Sequence, residues 1–301
     1  YQSSVLRQGH TFALSSASAP LSFSLYMAEK LQGLEYWFRV KEMLKNEIGE
    51  LPKRLRFLLD KTFSRGRMKI HLAFEDKDKS YVMALAKQFI AEIPDKGSIE
   101  AIERAFSYSG NINHAYLAAT PVSYSAMAAV SAPFGSVLHA KEKMFLSIAG
   151  QNMLWSLIRE KGGAYGAGSL VDSNENALLF YTYRDPRLKE SLDDFTKGVK
   201  EQIITEEKLE DARLSVLSRD VRPLSPQSKA MIDFKRYLYK ISDEQRLNAK
   251  SLLLSLSLSD VESARNEIIE RLRNGVAIGI IASEKAVRDS SIDAECKKLP
   301  I

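Results

Sequence analysis

The sequence predicts an α+β protein in which a mixed or antiparallel sheet carries helices packed on one face. Two observations lead to this fold class. Several long segments repeat their apolar residues with the spacing of an amphipathic helix, whereas four short runs have strand character. These runs cover 113–122, 125–132, 177–183 and 276–282. Their order along the chain, two strands, a helix, a strand, several helices and a closing strand, is typical of α+β domains.

The length of the chain predicts two domains, because 301 residues are enough to bury two cores. We place the boundary at 94–97, where a proline ends a helical segment and a polar connector follows to about residue 104. The predicted domains are therefore 1–97 and 98–301. Because the chain begins at Tyr1 without a charged and apolar leader, we expect a processed product or a fragment.

The predicted first domain is mainly helical. It begins with a short segment, 7–13, that we predict to be strand-like or irregular. Helical spacing then covers 20–46, where Gly33 marks a bend or a close helix contact, and a second helix follows. The segment 68–74 alternates apolar and polar residues, which predicts a half-buried strand, and 78–93 returns to helical spacing.

The predicted second domain is built around a helix at 137–159, whose apolar residues cover nearly all of its sides and so predict burial. After the strand at 177–183, Asp185 and Pro186 are predicted to cap and open the next helix. Further helices fill the chain up to the closing strand. The second domain therefore supplies most of the predicted sheet.

Charge and composition exclude several functional classes. The formal net charge is +5, but acidic and basic residues are interleaved, which indicates solvated helix faces rather than a surface for nucleic acid. No run of 18 apolar residues occurs, so we expect no membrane partner. The single cysteine, Cys296, cannot form an internal disulfide.

The histidines offer no metal site. The four of them, His10, His71, His114 and His139, have no spacing typical of zinc ligands. The segment 139–143 reads H-A-K-E-K and comes nearest to the inverted zinc motif H-x-x-E-H, but its final lysine cannot bind zinc. We therefore predict no metal in this chain and no complete catalytic centre.

The most distinctive stretch follows the buried helix. Four glycines fall within 162–168, and Arg159 and Tyr165 stand six positions apart around them. Glycines at the end of a buried helix favour a left-handed turn or the close approach of another backbone. Without further context this pattern is typical of a helix end followed by a strand.

The wider context resembles a known family. Trp155 lies in the helix, the turn reads G-G-A-Y-G, and residues 183–186 read Y-R-D-P. This arrangement closely resembles the C-terminal half of the pitrilysin/insulinase family of zinc metallopeptidases, above all its presequence-protease branch. Residues 7–13 resemble part of that family's third domain. The resemblance implies the metallopeptidase αβ-roll, with a truncated third-type domain at 1–97 and a fourth-type domain at 98–301.

The resemblance also implies roles for single residues. Arg159 would hold a carbonyl of the substrate backbone, and Tyr165 would donate a hydrogen bond to the oxyanion formed as water attacks the peptide bond. Gly162, Gly163 and Ala164 would let the substrate strand approach closely. The alternative is structural: Arg159 only caps its helix and Tyr165 only packs on the sheet. For three neighbouring residues we expect a structural role, with Asp185 as a helix cap: Tyr183, Arg184 and Asp185.

The resemblance further implies that zinc is bound by an N-terminal half, which would be the partner of this chain, and that the substrates are short unfolded peptides. Three interpretations stay open. The chain is the C-terminal part of such a peptidase, a separate subunit pairing with a zinc-bearing chain, or a non-catalytic scaffold of the same fold. Retention of Arg159 and Tyr165 favours the first two, and an exposed apolar patch in the first 100 residues would favour the first. We expect a bacterial cytosolic protein, with an organelle matrix as the alternative.

Overall fold

The computed structural model describes residues 2–46, 48–97, 112–221 and 223–299. The described residues form two compact units, each discontinuous in sequence. The first unit lies within 1–37, 106–222 and 243–301, and the second lies within 38–105 and 223–242. The division into family domains at residue 97 stays a prediction, and the connector predicted from 98 to about 104 lies outside the described residues.

Helices occur throughout the described residues, whereas the strands there all lie beyond residue 112. The strands β1 to β6 are Asn113–Leu117, Tyr124–Val130, Gly166–Asp172, Ala177–Tyr183, Ala277–Ala282 and Glu295–Lys298. The helices α1 to α13 are Gln2–Arg7, Gly9–Ser18, Phe23–Gln32, Leu34–Asn46, Leu51–Thr62, Lys79–Glu92, Val137–Gln151, Lys189–Glu201, Glu206–Val221, Pro226–Leu238, Asp243–Ser255, Leu258–Asn274 and Glu284–Ser290. A π-helical segment, Trp155–Lys161, follows α7.

The first unit contains one mixed sheet with the strand order β3-β4-β2-β5-β1-β6. Strand β1 runs parallel to β5 and β6, and the remaining pairs are antiparallel. The predicted α+β class with a mixed sheet is thus confirmed. The sequence assigned no range to β3 or β6, because β3 is rich in glycine and β6 is short and polar, so neither has the composition of a strand.

One face of the sheet forms the main core. Helices α7, α8 and α12 bury large apolar side chains against it, and the core includes Phe145, Phe180, Phe195, Ile268 and Ile280, all fully buried. The predicted buried helix after residue 137 is therefore present. It ends at Gln151, however, and the chain continues as the π-helical segment instead of a single α-helix to residue 159.

The opposite face of the sheet is covered by α2, where we predicted no helix. Residues 7–13 are thus helical rather than strand-like. The signal for this helix was the spacing of small residues, since Gly9, Ala13 and Ala17 are all buried at intervals of four. A side chain at Gly279 of β5 would overlap the backbone carbonyl of Ala13, so helix and strand approach to backbone contact.

The second unit is helical, with α5, α6, α10 and most of α4. The bend predicted at Gly33 is confirmed, since α3 and α4 are separate helices on either side of it. The strand predicted at 68–74 is wrong: the segment is irregular and mostly exposed, and within the described part of this unit no strand is available to pair with it. Alternation alone does not make a strand without a partner.

Candidate functional site

The glycine turn is fixed by hydrogen bonds at the end of the π-helical segment. The N–H of Gly163 donates to the carbonyl of Arg159 at 3.0 Å, and the N–H of Ala164 donates to the carbonyl of Ile158 at 3.1 Å. Gly163 has a φ of 79°, which favours glycine. A side chain at Gly162 would overlap the Ile158 carbonyl and the Arg187 guanidinium. This turn therefore sets the direction in which β3 leaves the helix.

The three turn residues predicted to bind substrate differ in accessibility. Gly162 and Ala164 are buried, whereas Gly163 is exposed. Gly162 lies against Arg187, whose Nη2 pairs with Asp194 at 3.1 Å and also donates to the carbonyl of Leu157. Burial of two of the three residues means that a ligand would reach the turn mainly at Gly163.

Arg159 projects from the π-helical segment and lies over an aromatic ring. Its Cζ is 4.0 Å from the ring centroid of Trp155 and 5.9 Å from that of Tyr165. Such stacking is a cation–π contact that orients the guanidinium without consuming its N–H donors. Among the described residues Arg159 has no acidic partner, so its donors remain available to a ligand.

Tyr165 has a fixed backbone and an exposed ring. Its N–H donates to the carbonyl of Arg184 at 3.2 Å, and its ring packs edge-on against Tyr183 at 5.6 Å between centroids. The side chain is nevertheless 66% exposed. Within the described part of the chain the hydroxyl has no hydrogen-bond partner, so it can donate to an incoming group.

Tyr165 borders one open cavity of about 580 Å³, and so does Trp155, the ring over which Arg159 lies. The cavity is lined by Arg7, Gln8, His10, Trp155, Tyr165, Gly166, Ala167, Tyr181 and Tyr183. Its walls come from α1 and α2, the π-helical segment, and the two strands at one end of the sheet. The phenol of Tyr165 thus lies at this opening with the guanidinium of Arg159 beside it, which suits a ligand with carbonyl or carboxylate oxygens.

His10 also lines this cavity, although the sequence predicted no functional role for it. Its ring lies 4.7 Å from that of Tyr183 and 5.6 Å from that of Tyr181, and its Nδ1 has no hydrogen-bond partner among the described residues. Burial lowers the pKa of His10, because it disfavours the charged imidazole. No local pattern could have found it, because α2 reaches the cavity only through tertiary packing.

Asp185, which follows β4, has a structural role, as predicted, but not as a helix cap. Asp185 is fully buried, and its backbone exchanges hydrogen bonds of 2.7 and 2.9 Å with Ser123. Its Oδ1 accepts from the N–H of Arg187, whereas α8 begins only at Lys189. The predicted capping role is therefore wrong, because the carboxylate closes a turn before the helix. Burial raises the pKa of Asp185.

The H-A-K-E-K segment opens α7 and is not arranged to bind a metal ion. Glu142 is fully buried, forms an ion pair with Arg271 at 2.9 Å, and accepts from Ser131 and from the N–H of Ala132. His139 is buried against Phe134, and burial lowers its pKa to about 4. These side chains do not fit a zinc site. In the described ranges no group of three or more His, Cys, Asp or Glu residues could hold a metal ion.

Comparison with known proteins gives a family match and a set of relatives. The family model described as the PreP C-terminal domain matches residues 113–284. The chain is 25% identical to a mitochondrial presequence protease of Drosophila melanogaster over 86% of this chain and 25% of that protein. For the mitochondrial presequence protease of Eremothecium gossypii the values are 26%, 87% and 28%. The chain thus spans about a quarter of the length of these relatives.

Solved structures share the fold at low sequence identity. The inactive domain of a peptidase M16 from Pseudomonas fluorescens has a TM-score of 0.51 and 16% identity, covering 73% of this chain and 52% of that chain. A protease from Helicobacter pylori has a TM-score of 0.52 and 16% identity, covering 67% and 52%. Across the described residues no helix is long and apolar enough to cross a membrane.

Proposed function

Because this chain belongs to the PreP C-terminal domain family, we propose that it is the C-terminal part of a zinc-dependent endopeptidase that degrades short unfolded peptides. In this proposal the chain supplies substrate-binding and oxyanion-stabilising groups, and an N-terminal half supplies the zinc site. The observation that carries the proposal is that the Cζ of Arg159 lies 5.9 Å from the ring centroid of Tyr165, which lines the cavity. Both are exposed, and both offer donors that no described residue uses.

Arg159 is proposed to bind a carbonyl of the peptide backbone. Its guanidinium keeps a permanent charge and several N–H donors in a rigid plane, and stacking on Trp155 limits the directions in which that plane can turn. A residue that is oriented before the substrate arrives loses less entropy on binding. Arg159 would therefore act mainly on substrate affinity and alignment.

Tyr165 is proposed to stabilise the oxyanion that forms when water attacks the scissile carbonyl. The backbone of Tyr165 is fixed by the Arg184 carbonyl and its ring by Tyr183, so the hydroxyl projects from a constrained position. A donor placed where charge develops stabilises the transition state more than the ground state. Tyr165 would therefore act mainly on kcat.

Zinc in the complete enzyme would supply the activated water, and the residues that hold it are proposed to lie in the N-terminal half. The buried and paired state of Glu142 supports a location outside the H-A-K-E-K segment. A protein partner is also supported by the second unit, where α5 exposes apolar side chains on one side of the helix: Leu55 is 56%, Leu58 53% and Leu59 47% exposed. Exposed apolar patches of this kind are typical of surfaces that another protein covers.

The scaffold and separate-subunit alternatives differ in whether they would use Arg159 and Tyr165. A scaffold has no need of an unpaired arginine beside an exposed phenol, so the geometry favours a peptidase part. A separate subunit would use the same two residues, and only the covalent link to the zinc half would differ. The mitochondrial relatives favour an organelle matrix over the bacterial cytosol as the compartment of this protein.

The experiment measures cleavage of an unfolded peptide by this chain with zinc, alone and then combined with a zinc-bearing N-terminal half of a presequence protease. We expect activity only in the combination. Tyr165→Phe in the combined enzyme should lower kcat by about 10²-fold, the usual cost of one oxyanion donor. Tyr237→Phe is the matched control, because Tyr237 is a similarly exposed tyrosine of the second unit. An active combination in which Tyr165→Phe cleaves like wild type would contradict the proposed role.

A further inference from the structure

The guanidinium of Arg187 holds the π-helical segment from outside that segment. Arg187 follows β4 and precedes α8, and its Nη2 donates to the carbonyl of Leu157 at 3.3 Å. Leu157 lies two positions before Arg159 in the π-helical segment. Turns of π-helix are rare and occur frequently at functional sites. A donor from another part of the chain therefore fixes the backbone from which Arg159 projects.

The same guanidinium lies against the glycine turn. A side chain at Gly162 would overlap the Cζ and Nη2 of Arg187, so the turn packs directly on the guanidinium. Gly162 lies three positions before Tyr165. Arg187 thus contacts the chain on both sides of Arg159 and shortly before Tyr165.

Arg187 is itself held by three contacts. Its Nη2 pairs with the Oδ2 of Asp194 in α8 at 3.1 Å, and the two side chains are only 27% and 13% exposed. Its N–H donates to the Oδ1 of Asp185 at 2.9 Å, and its carbonyl accepts from the hydroxyl of Ser123 at 2.5 Å. Hydrogen bonds between charged groups are shorter and stronger than neutral ones. The guanidinium is therefore a fixed anchor and not a mobile surface group.

The positions of both proposed functional side chains depend on the backbone of residues 157–162. Arg159 lies within this stretch, 4.0 Å over the ring of Trp155, and Tyr165 follows the turn that ends it. Displacement of a substrate-positioning group by about 1 Å can lower a rate about 10²-fold. Arg187 is not among the residues that line the cavity, so any effect on the reaction has to pass through this backbone.

We propose that Arg187, held by Asp194, is a positioning residue for the site at Arg159 and Tyr165. The inference rests on the proposed function, because it assigns a role in the same reaction to a residue that acts through other residues. The guanidinium fixes the backbone on both sides of Arg159, so that the arginine and the tyrosine keep their separation when a peptide binds.

The kinetic test replaces Arg187 with methionine, which keeps a long side chain and removes every N–H donor of the guanidinium. In the combined enzyme Arg187→Met should lower kcat and raise KM together, with kcat/KM falling about tenfold or more, because both functional side chains shift. Arg187→Lys should recover part of this loss, since its ammonium can still pair with Asp194. A purely stabilising residue would move neither constant in the folded enzyme.

A second variant acts on the same anchor if Arg187→Met does not fold. Asp194→Asn keeps the shape of the side chain and removes the charge that holds the guanidinium. It should change kcat and KM in the same directions as Arg187→Met, by a smaller factor. Constants equal to those of wild type in Asp194→Asn would contradict the role of Asp194.

Amide hydrogen exchange, followed by NMR in the isotopically labelled chain, gives a readout that needs no activity. The N–H groups of Gly163 and Ala164 donate within the turn at 3.0 and 3.1 Å. They should exchange about tenfold faster in Arg187→Met, because the turn opens more often once its anchor is removed.

Arg213→Met is the matched control. The guanidinium of Arg213 also donates to a backbone carbonyl, that of Leu256 at 2.8 Å, and also pairs with a carboxylate, that of Glu210. Arg213 lies in α9, outside the stretch that carries the site. This control should leave kcat, KM and the exchange of the two turn amides as in wild type.

Two results would overturn the inference: equal changes in Arg187→Met and Arg213→Met, or wild-type constants and turn amides in Arg187→Met. Failure of the proposed function gives a different result. Tyr165→Phe would then cleave like wild type, while the turn amides of Arg187→Met would still exchange faster and so support the anchoring of the turn.

Discussion

The two ends of one helical stretch, residues 137 to 161, place polar side chains in different environments, buried at the beginning and exposed at the end. At the beginning, His139 and Glu142 are buried, and Glu142 has an ion pair and two further hydrogen-bond donors. At the end, Arg159 lies exposed on an aromatic ring, with the exposed Tyr165 just beyond it. The first group stabilises the protein and the second is free to act on a ligand. Environment, more than residue type, separates the two.

Among the proposed substitutions at the two ends, replacement of Glu142 is expected to lower the free energy of unfolding most. Glu142→Ala leaves Arg271 without its carboxylate and two buried donors without an acceptor, so we expect a loss of about 3 kcal/mol in the free energy of unfolding. Urea unfolding measures this loss. The control Glu262→Ala removes a partly exposed ion pair with Arg265 and should cost about 0.5 kcal/mol or less. Equal losses for the two variants would contradict a special role for the buried pair.

The second prediction concerns pH. Burial lowers the pKa of His139 to about 4, below its value near 6.5 in the unfolded chain. The unfolded chain therefore binds the proton first as pH falls. The contribution of the neutral His139 to the free energy of unfolding is complete above about pH 6.5, and about 3 kcal/mol of it is lost towards pH 4.

His139→Gln should remove that share of the pH dependence, measured by urea unfolding at several pH values. His71→Gln, at an exposed histidine, should keep it. A His139→Gln variant with the same pH dependence as wild type would show that the buried imidazole is not responsible.

Substitution of Gly162 tests whether close packing fixes the glycine turn. Gly162→Ala places a methyl group against the Ile158 carbonyl and the Arg187 guanidinium, so we expect a loss of about 1–3 kcal/mol in stability. Thermal or urea unfolding measures it. Gly49→Ala is the control, because nothing lies within 4 Å of the added atom. A neutral result at Gly162 would mean that the turn relaxes and does not fix the path of β3.

The smallest expected effect lies at Trp155. Trp155→Leu removes the ring under Arg159, and the loss of about 0.5–1 kcal/mol of cation–π energy should raise KM about two- to fivefold in the combined enzyme. Trp155→Phe keeps a ring and should stay closer to wild type. A changed kcat with an unchanged KM would argue that Trp155 acts on the chemistry instead of on the orientation of Arg159.

The sequence predicted those parts of the site that lie close together in the chain. Arg159, the glycine turn and Tyr165 fall within seven residues, and the strand at 177–183 was recognised from its apolar aromatic run. By contrast, His10 reaches the same cavity from the start of the chain, and tertiary packing alone brings it there. The bounds of β3 were not predicted because glycine has little strand propensity, although a side chain at Gly168 would overlap the Tyr181 ring of β4.

We expect the two ends of the stretch to divide stability from function, and both quantities can be measured on the same two variants. Unfolding free energy and kcat of the combined enzyme are determined for Glu142→Ala and Tyr165→Phe. Glu142→Ala should lose about 3 kcal/mol in the free energy of unfolding, with the kcat of the folded enzyme unchanged. Tyr165→Phe should lose about 10²-fold in kcat with the free energy of unfolding unchanged. A Tyr165→Phe variant that unfolds more easily but cleaves at the wild-type rate would contradict it.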